Sequence, residues 1–403
     1  MYIYQVGVVG AGTMGAQIAQ VMTYAGLPVV LTDVTIDIAQ QGIETIRRIY
    51  QARVDKGKMT RDELEEKMLL VTPAESFRAF TDADLVIEAV SEDLSLKQRV
   101  LAELDQVCPP GTILATNTSA LLVSAIASAT RRPGKVLGLH FFNPAYAMPL
   151  VEIIPGLATD AETVNDAAAF VDSIRKVPIV VKECAGFLVN RVLMAYLNEA
   201  VLCLEDGTSS MKEIEQDMRE FGLPMGPFAL LDSVGLDIAY DVAGILHESY
   251  GPRMAPASLL GALVKVGRLG QKNDHGFYEY GGPETGIVDH LLAEVQQAKS
   301  AVRIPWNRNR LLLIMINEAV MALQEGIASA HDIDQAMVAG IGFPLDKQGP
   351  LHYADSVGID VVLETLQQYT RTLGARFWPA PLLRRMVAAH FTGKQVKRGF
   401  FTY

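Results

Sequence analysis

Cysteine is scarce in this chain: Cys108, Cys184 and Cys203 are the three in 403 residues. Their spacing matches neither a zinc site nor a redox pair, so buried thiols in a reducing compartment are expected rather than a disulfide-stapled scaffold. No His/Cys/Asp cluster offers a metal site either. Positive charge is short as well. Thirty-five Lys and Arg against 46 Asp and Glu leave a net charge of −11. Nonspecific binding to nucleic acid or to an anionic membrane needs a basic face, so neither partner is expected. Long apolar runs are missing, with no uninterrupted stretch of roughly 18 residues to span a bilayer. The opening MYIYQVGVVG runs into a strand without the basic leader of a signal peptide. What remains is half hydrophobic and one-fifth charged, the profile of a well-packed soluble protein, expected in the cytoplasm. The length fits two to four domains.

The chain contains itself twice. NRVLMAYLNEAVLCLEDGTSSMKEI, from Asn190, matches NRLLLIMINEAVMALQEGIASAHDI, from Asn309, at a constant offset of 119. Further on, LLDSVGLD pairs with HYADSVGID and GFYEY with the terminal GFFTY, both at an offset of 123. Each copy should open with a long apolar helix, 190–204 and 309–324, ending at Gly207 and Gly326, the residue type that favours a left-handed cap. A second helix should follow from Ser210-x-x-Glu213 and Ser329-x-x-Asp332, the capping-box spacing.

A single nucleotide-binding fingerprint precedes the copies. QVGVVGAGTMGAQIAQVMTYAGLPVVLTD reads as strand, tight turn, helix and strand. Gly10 permits the turn, Gly12 lets the backbone approach a pyrophosphate, and Gly15 lets the helix pack closely. Thr13 and Met14 start the helix, whose positive end faces the phosphates. Asp33 ends the second strand, 23 residues after Gly10. A carboxylate there accepts from a ribose 2′-OH and repels a 2′-phosphate, so NAD is expected rather than NADP.

The sheet continues through 83–90, 111–119, 136–142 and 149–154. Polar residues sit at the strand tops, where such sheets bind ligands: Glu92, the run Asn117 to Ser119, and His140. In LHFFNPAYAMPLVEII, Pro144 and Pro149 suggest a chain reversal that returns Glu152 alongside His140. An imidazole so partnered has its tautomer fixed and its charged form stabilised, which suits a general base. From Arg47 to Arg61 there are six basic residues and one acid, Asp55, in what reads as a helical hairpin turning at Gly57. Such a patch in an acidic protein could clamp a polyanionic substrate.

GAGTMG with Asp33, NTSA at 117–120, HFFNP at 140–144, VEII at 151–154 and GFLVNR at 186–191 together resemble the L-3-hydroxyacyl-CoA dehydrogenase family. The one-plus-two arrangement resembles the dehydrogenase portion of multifunctional fatty-acid oxidation enzymes. With no hydratase segment preceding it, a stand-alone dehydrogenase is expected. The resemblance implies an α/β Rossmann-type NAD-binding domain followed by two related all-α domains. The expected boundaries are 1–183, 184–282 and 301–403, with a linker at 283–300 beginning near GGPETG. It also implies His140 as base, Glu152 as its orienting partner, and Ser119 and Asn190 on the substrate oxygen. Glu92, Lys97, Asn117 and Asn143 would lie along the NAD, and Arg53, Lys56 and Lys58 near the CoA phosphates.

Each role has a plainer competitor. Ser119 could cap a helix near Leu121, Asn190 could be a helix-start residue like Asn309, and Lys97 a solvated lysine. For the whole chain the expected activity is NAD-dependent interconversion of L-3-hydroxyacyl-CoA and 3-ketoacyl-CoA, with short chains such as 3-hydroxybutyryl-CoA as candidates. A dehydrogenase of a small free hydroxy acid, of gulonate or carnitine type, and a non-catalytic NAD-binding scaffold stay open. The doubled helical region suggests a monomeric pseudo-dimer; a homodimer is the other possibility.

Overall fold

The computed structural model describes residues 2–298 and 304–403. It divides into two units, Met1–Phe187 and Leu188–Tyr403. In the first, short runs of aliphatic residues form β1 (Val6–Val9), β2 (Val29–Thr32), β3 (Val71–Ala74), β4 (Leu85–Glu88), β5 (Ile113–Thr116), β6 (Val136–Phe141), β7 (Leu150–Pro155) and β8 (Val177–Val180). They make one sheet in the order β3-β2-β1-β4-β5-β6-β7-β8. Pairing is parallel except between β6 and β7. The order reverses between β1 and β4, the place where open α/β sheets bind ligands above their strand ends. Sequence reading missed β3 and β8. Both are edge strands holding a proline, Pro73 and Pro178, where a missing ladder donor is tolerated and the apolar pattern is weak.

Helices α1 (Thr13–Tyr24), α2 (Ile36–Asp55), α3 (Arg61–Met68), α4 (Leu94–Val107), α5 (Val123–Ala127) and α6 (Ala161–Ser173) complete this unit. One buried cluster joins Val6, Val8, Leu31 and Ile87 of the sheet to Ile18 and Met22 of α1, Ile46 and Tyr50 of α2, and Phe170 of α6. Helices α2 and α3 form the expected hairpin, with Gly57 at positive φ in its turn.

The second unit is helical. Its first copy holds α7 (Val189–Glu205), α8 (Met211–Phe221), α9 (Pro227–Val234), α10 (Leu236–Tyr250) and α11 (Ser258–Lys265). Helix α12 (Ile287–Ala298) follows. It occupies most of the segment expected as a linker: Val288 is buried, and Gln296 donates to the Leu204 carbonyl at 2.8 Å. Apolar residues at 287, 288, 291, 292 and 295 give this stretch the helical period. Residues 299 and 300 of that segment, and 301–303 of the expected last domain, lie outside the described residues.

The second copy repeats the first as α13 (Asn309–Gln324), α14 (Ala330–Ile341), α15 (Pro350–Val357), α16 (Ile359–Leu373) and α17 (Pro381–Ala388). Helices α7 and α13 are apolar on most sides and bury that surface against each other. Around them the ion pairs are reciprocal. Arg191 donates to Glu318 and Glu325, each at 2.6 Å. Its counterpart Arg310 donates to Glu199 and Asp206, the counterparts of those acids, also at 2.6 Å. Arg253 reaches Glu318 while Arg376 reaches Glu199. Each copy therefore supplies arginines to the carboxylates of the other's long helix and its end. Inside each copy an Asn on the long helix bridges a turn: Asn198 holds the Ala255 carbonyl and the Ala257 amide. Asn317 holds the Trp378 carbonyl and the Ala380 amide in the same way.

Candidate active site

The fingerprint loop is built by exclusion. Gly10 has φ of 97°, and a Cβ there would lie 2.6 Å from the Ala89 carbonyl oxygen. A Cβ on Gly15 would fall 1.7 Å from the Gly10 oxygen, so only glycine lets α1 start against the loop. Gly12 faces open space, with nothing within 4 Å of the point a Cβ would occupy. No side chain caps α1 and no acid stands in its first turn. Its free N–H groups and dipole are therefore available to an anion at Gly12, Thr13 and Met14. Asp33 accepts from the Ala11 amide at 2.6 Å and from its own neighbour Val34 at 2.7 Å. The carboxylate is thus pinned beside the loop, where a ribose would lie. These residues fit a dinucleotide.

Above β4 and β5 lies a charge cluster. Glu88, fully buried at the end of β4, accepts from Lys97 at 2.8 Å, Thr116 at 2.7 Å and the Val90 amide at 2.7 Å. Lys97 is 1% exposed and also reaches Glu92 at 3.3 Å. The solvated alternative for Lys97 is thereby overturned, since both carboxylates and the Val90 carbonyl hold it inside. Glu92 in turn accepts from the Thr118 hydroxyl at 2.5 Å, the Ser119 amide at 2.9 Å and the Ala120 amide at 3.2 Å. The helix that follows, α5, has Leu122 at its N-cap and no side-chain cap, while the Thr118 hydroxyl accepts from the Leu121 amide at 2.9 Å in the turn before it. Asn117 accepts from the Phe141 amide at 2.9 Å, tying β5 to the end of β6.

The antiparallel register of β6 and β7 sets His140 directly opposite Glu152. Nδ1 of His140 lies 2.8 Å from Glu152 Oε2, with the residues 4% and 0% exposed. A carboxylate at Nδ1 holds the proton there in the neutral ring, leaving Nε2 as the basic nitrogen. Phe142 and Phe187 flank the ring at 4.5 and 5.7 Å between centroids. Asn143 accepts from Gln17 of α1 at 3.3 Å. Asn190 stands in the first turn of α7, in the other unit.

The basic hairpin is weaker than its sequence count. Its second arm, α3, carries Asp62, Glu63, Glu65 and Glu66 against Arg61 and Lys67, and Arg47 pairs with Glu65 at 2.7 Å. Arg53 stacks over the Tyr24 ring at 4.7 Å and donates to its hydroxyl at 3.0 Å. Lys56 and Lys58 remain exposed near the turn.

Three residues at this end of the sheet escaped sequence reading: Glu88, Gln17 and Lys176. Glu88 carried a signal, a carboxylate closing an otherwise apolar strand. Burial pushes the Lys176 ammonium below the usual lysine range. Among the described residues no His/Cys/Asp/Glu group could hold a metal ion, and no helix is long and apolar enough to cross a membrane.

Known proteins resemble this chain in sequence and fold. Residues 5–184 match the family model of the 3-hydroxyacyl-CoA dehydrogenase NAD binding domain. Residues 186–280 and 307–403 each match the C-terminal domain of the same family. The fatty acid oxidation complex subunit alpha of Vibrio cholerae is 39% identical over 378 residues, covering 93% of this chain and 53% of that protein. The chain thus spans about half the length of the curated relatives it matches. A solved 3-hydroxybutyryl-CoA dehydrogenase from Escherichia coli K12 aligns at a TM-score of 0.87 and 31% identity, over 96% of this chain and 99% of that one. An (S)-3-hydroxybutyryl-CoA dehydrogenase from Ralstonia eutropha aligns at 0.68 and 36%, over 70% of this chain and 100% of its own. The chain belongs to the 3-hydroxyacyl-CoA dehydrogenase family.

Proposed function

We propose that the chain is an NAD-dependent L-3-hydroxyacyl-CoA dehydrogenase, oxidising the 3-hydroxyl of an acyl thioester and reducing the ketone in reverse. The observation that carries this reading is the buried His140–Glu152 pair at 2.8 Å, on the sheet that bears the fingerprint. NAD supplies the hydride acceptor for C3. Nε2 of His140 takes the hydroxyl proton, and Glu152 stabilises the imidazolium that results. In reverse, the imidazolium polarises the ketone and returns the proton. Ser119 and Asn190 hydrogen-bond the substrate oxygen, while Glu92, Lys97, Asn117 and Asn143 line the cofactor. Arg53, Lys56 and Lys58 attract the CoA phosphates. Short chains such as 3-hydroxybutyryl-CoA are the preferred candidates, because two of the similar solved enzymes carry that substrate in their names.

The acids of α3 favour keeping a second reading, a dehydrogenase of a small free hydroxy acid, because they dilute the patch that argued for CoA. One assay separates the two: oxidation of NADH with acetoacetyl-CoA, beside free acetoacetate and beside NADPH. Turnover confined to thioester and NADH supports the first reading, and turnover of the free acid moves the assignment to the second. We further infer that the second helical copy covers, within one chain, the face of the first. The reciprocal ion pairs support this. Deleting 301–403 and measuring sedimentation tests it, since a truncated chain that stays soluble and monomeric rules it out.

A further inference from the structure

The turn between β6 and β7 carries Asn143 and follows His140 by two residues, yet it has little secondary structure of its own. Within it the Ala147 and Met148 amides fold back on the Pro144 carbonyl at 2.9 and 3.0 Å. Ala145, 1% exposed at its centre, is gripped from both sides. Its amide donates to Gln17 Oε1 at 2.6 Å, and its carbonyl accepts from Lys176 Nζ at 2.6 Å. The same ammonium donates to the Met148 carbonyl at 2.7 Å. The same Gln17 side chain donates through Nε2 to Asn143 at 3.3 Å. The two grips come from far apart in the chain: Gln17 from the second turn of α1, Lys176 from the residue before β8.

Neither residue is placed there by solvation. Lys176 is 9% exposed and, among the described residues, pairs with no carboxylate; its charge is met by main-chain carbonyls. Burying an ammonium on such terms is costly, and burial lowers its pKa accordingly. Gln17 is a polar side chain on the buried face of an apolar helix, with both ends of its amide engaged in this turn. A structural turn of this length needs neither.

We propose that Gln17 and Lys176 are positioning residues for the dehydrogenase reaction, clamping the Ala145 peptide so that Asn143 and the end of β6 keep a fixed place relative to the cofactor-binding helix. Gln17 sets the turn against α1, and Lys176 keeps it from lifting away from β8. The proposal rests on the dehydrogenase reading for its effect on turnover, but the clamp itself is testable without cofactor or substrate.

The first test is amide hydrogen exchange on the cofactor-free protein, comparing wild type with Gln17→Leu and Lys176→Met. Exchange in the peptide spanning 143–148 should rise at least about tenfold in each variant while the amides of β1 and β4 keep their protection, because only a local opening is made easier. The second test is steady-state kinetics with acetoacetyl-CoA and NADH. Lys176→Met should lower kcat about 10- to 100-fold, the scale on which a displacement near 1 Å acts, with the NADH dissociation constant changed less than about twofold. Gln17→Leu should lower kcat and raise the KM for NADH together, since Asn143 is released as well. The double variant should lose little more than the worse single one, as expected of two groups holding one peptide. Should Lys176→Met fail to fold, Gln17→Leu and Lys176→Arg carry the same comparison. Unchanged exchange in 143–148 overturns the clamp. Faster exchange with kcat intact overturns its catalytic role. Inactivity of the wild type on the thioester would instead strike the dehydrogenase reading and leave the exchange result standing.

Discussion

Buried charge is arranged in opposite ways in the two units. In the first, Glu88, Lys97, His140, Glu152 and Lys176 each occur once and gather toward one end of a single sheet. In the second, Arg191 and Arg310, Glu199 and Glu318, Asp232 and Asp355 come as pairs that obey the sequence repeat. Even where the residue changed, the task was kept: Glu205 accepts from the Leu259 amide and its counterpart Gln324 from that of Leu382. Arg268 breaks the pattern. It is bonded to Glu279 and to the Gly276 carbonyl, whereas its counterpart Phe391 lies under Arg398 at 3.8 Å. A buried charge copied along with a fold is holding that fold. One that occurs once, at the end of a sheet, needs another reason to be there.

The contrast can be broken by measurement. The largest effect should come from a residue without a copy. His140→Gln should lower kcat by about 10²- to 10⁴-fold, the range for losing a general base, while the melting temperature and NADH affinity hardly move. Turnover near wild type would remove His140 from the chemistry. Next come the copied arginines. Arg191→Met and Arg310→Met each leave acids of the opposite copy short of a partner, at a cost of about 3–5 kcal/mol for a broken buried pair. Urea unfolding should show the two losses equal to within about 1 kcal/mol. A clear inequality would mean that the copies are not mechanically equivalent.

Smaller still should be Asp232→Asn and Asp355→Asn. Asp232 accepts from the Phe277 and Tyr278 amides and the Tyr280 hydroxyl. Asp355 accepts from the Phe400 and Phe401 amides and the Tyr403 hydroxyl. An amide can satisfy only part of each set, so about 1–3 kcal/mol should be lost per site. The least effect concerns a position where the copies have diverged. Asp334 accepts from the Leu351 and His352 amides and from the His352 ring, and burial pushes its carboxyl up to about 6. A folded-state pKa above the unfolded one contributes stability that is present in acid and lost as pH rises toward 6. A decline of about 1–2 kcal/mol between pH 4 and 6 is expected. Asp334→Asn should flatten it.

Much of this was legible in the sequence because it is local. Three glycines, one acid and an apolar strand identify the loop at Gly10 to Gly15, and two prolines bracket the reversal that brings Glu152 to His140. The repeat was legible for another reason, since it compares the chain with itself. What stayed hidden depends on contacts between distant segments. Glu88 with Thr116, Gln17 with Ala145 and Lys176 with Met148 are separated by 28 residues or more, and no spacing rule links them. Lys97 read as either solvated or functional because its partner Glu88 was not yet in view. The basic count from Arg47 to Arg61 stopped one residue short of the acids that offset it, which lie in the hairpin's own second helix.

The exchange of arginines and carboxylates between the helical copies also bears on how such a chain can change over generations. Deleting one copy removes the counter-ions of the survivor: without the second copy Arg191 loses Glu318 and Glu325, and without the first Arg310 loses Glu199 and Asp206. Reversion to a single copy would require several buried substitutions at once. The doubling acts as a ratchet, keeping two copies of a fold even where only one cofactor loop is present to serve.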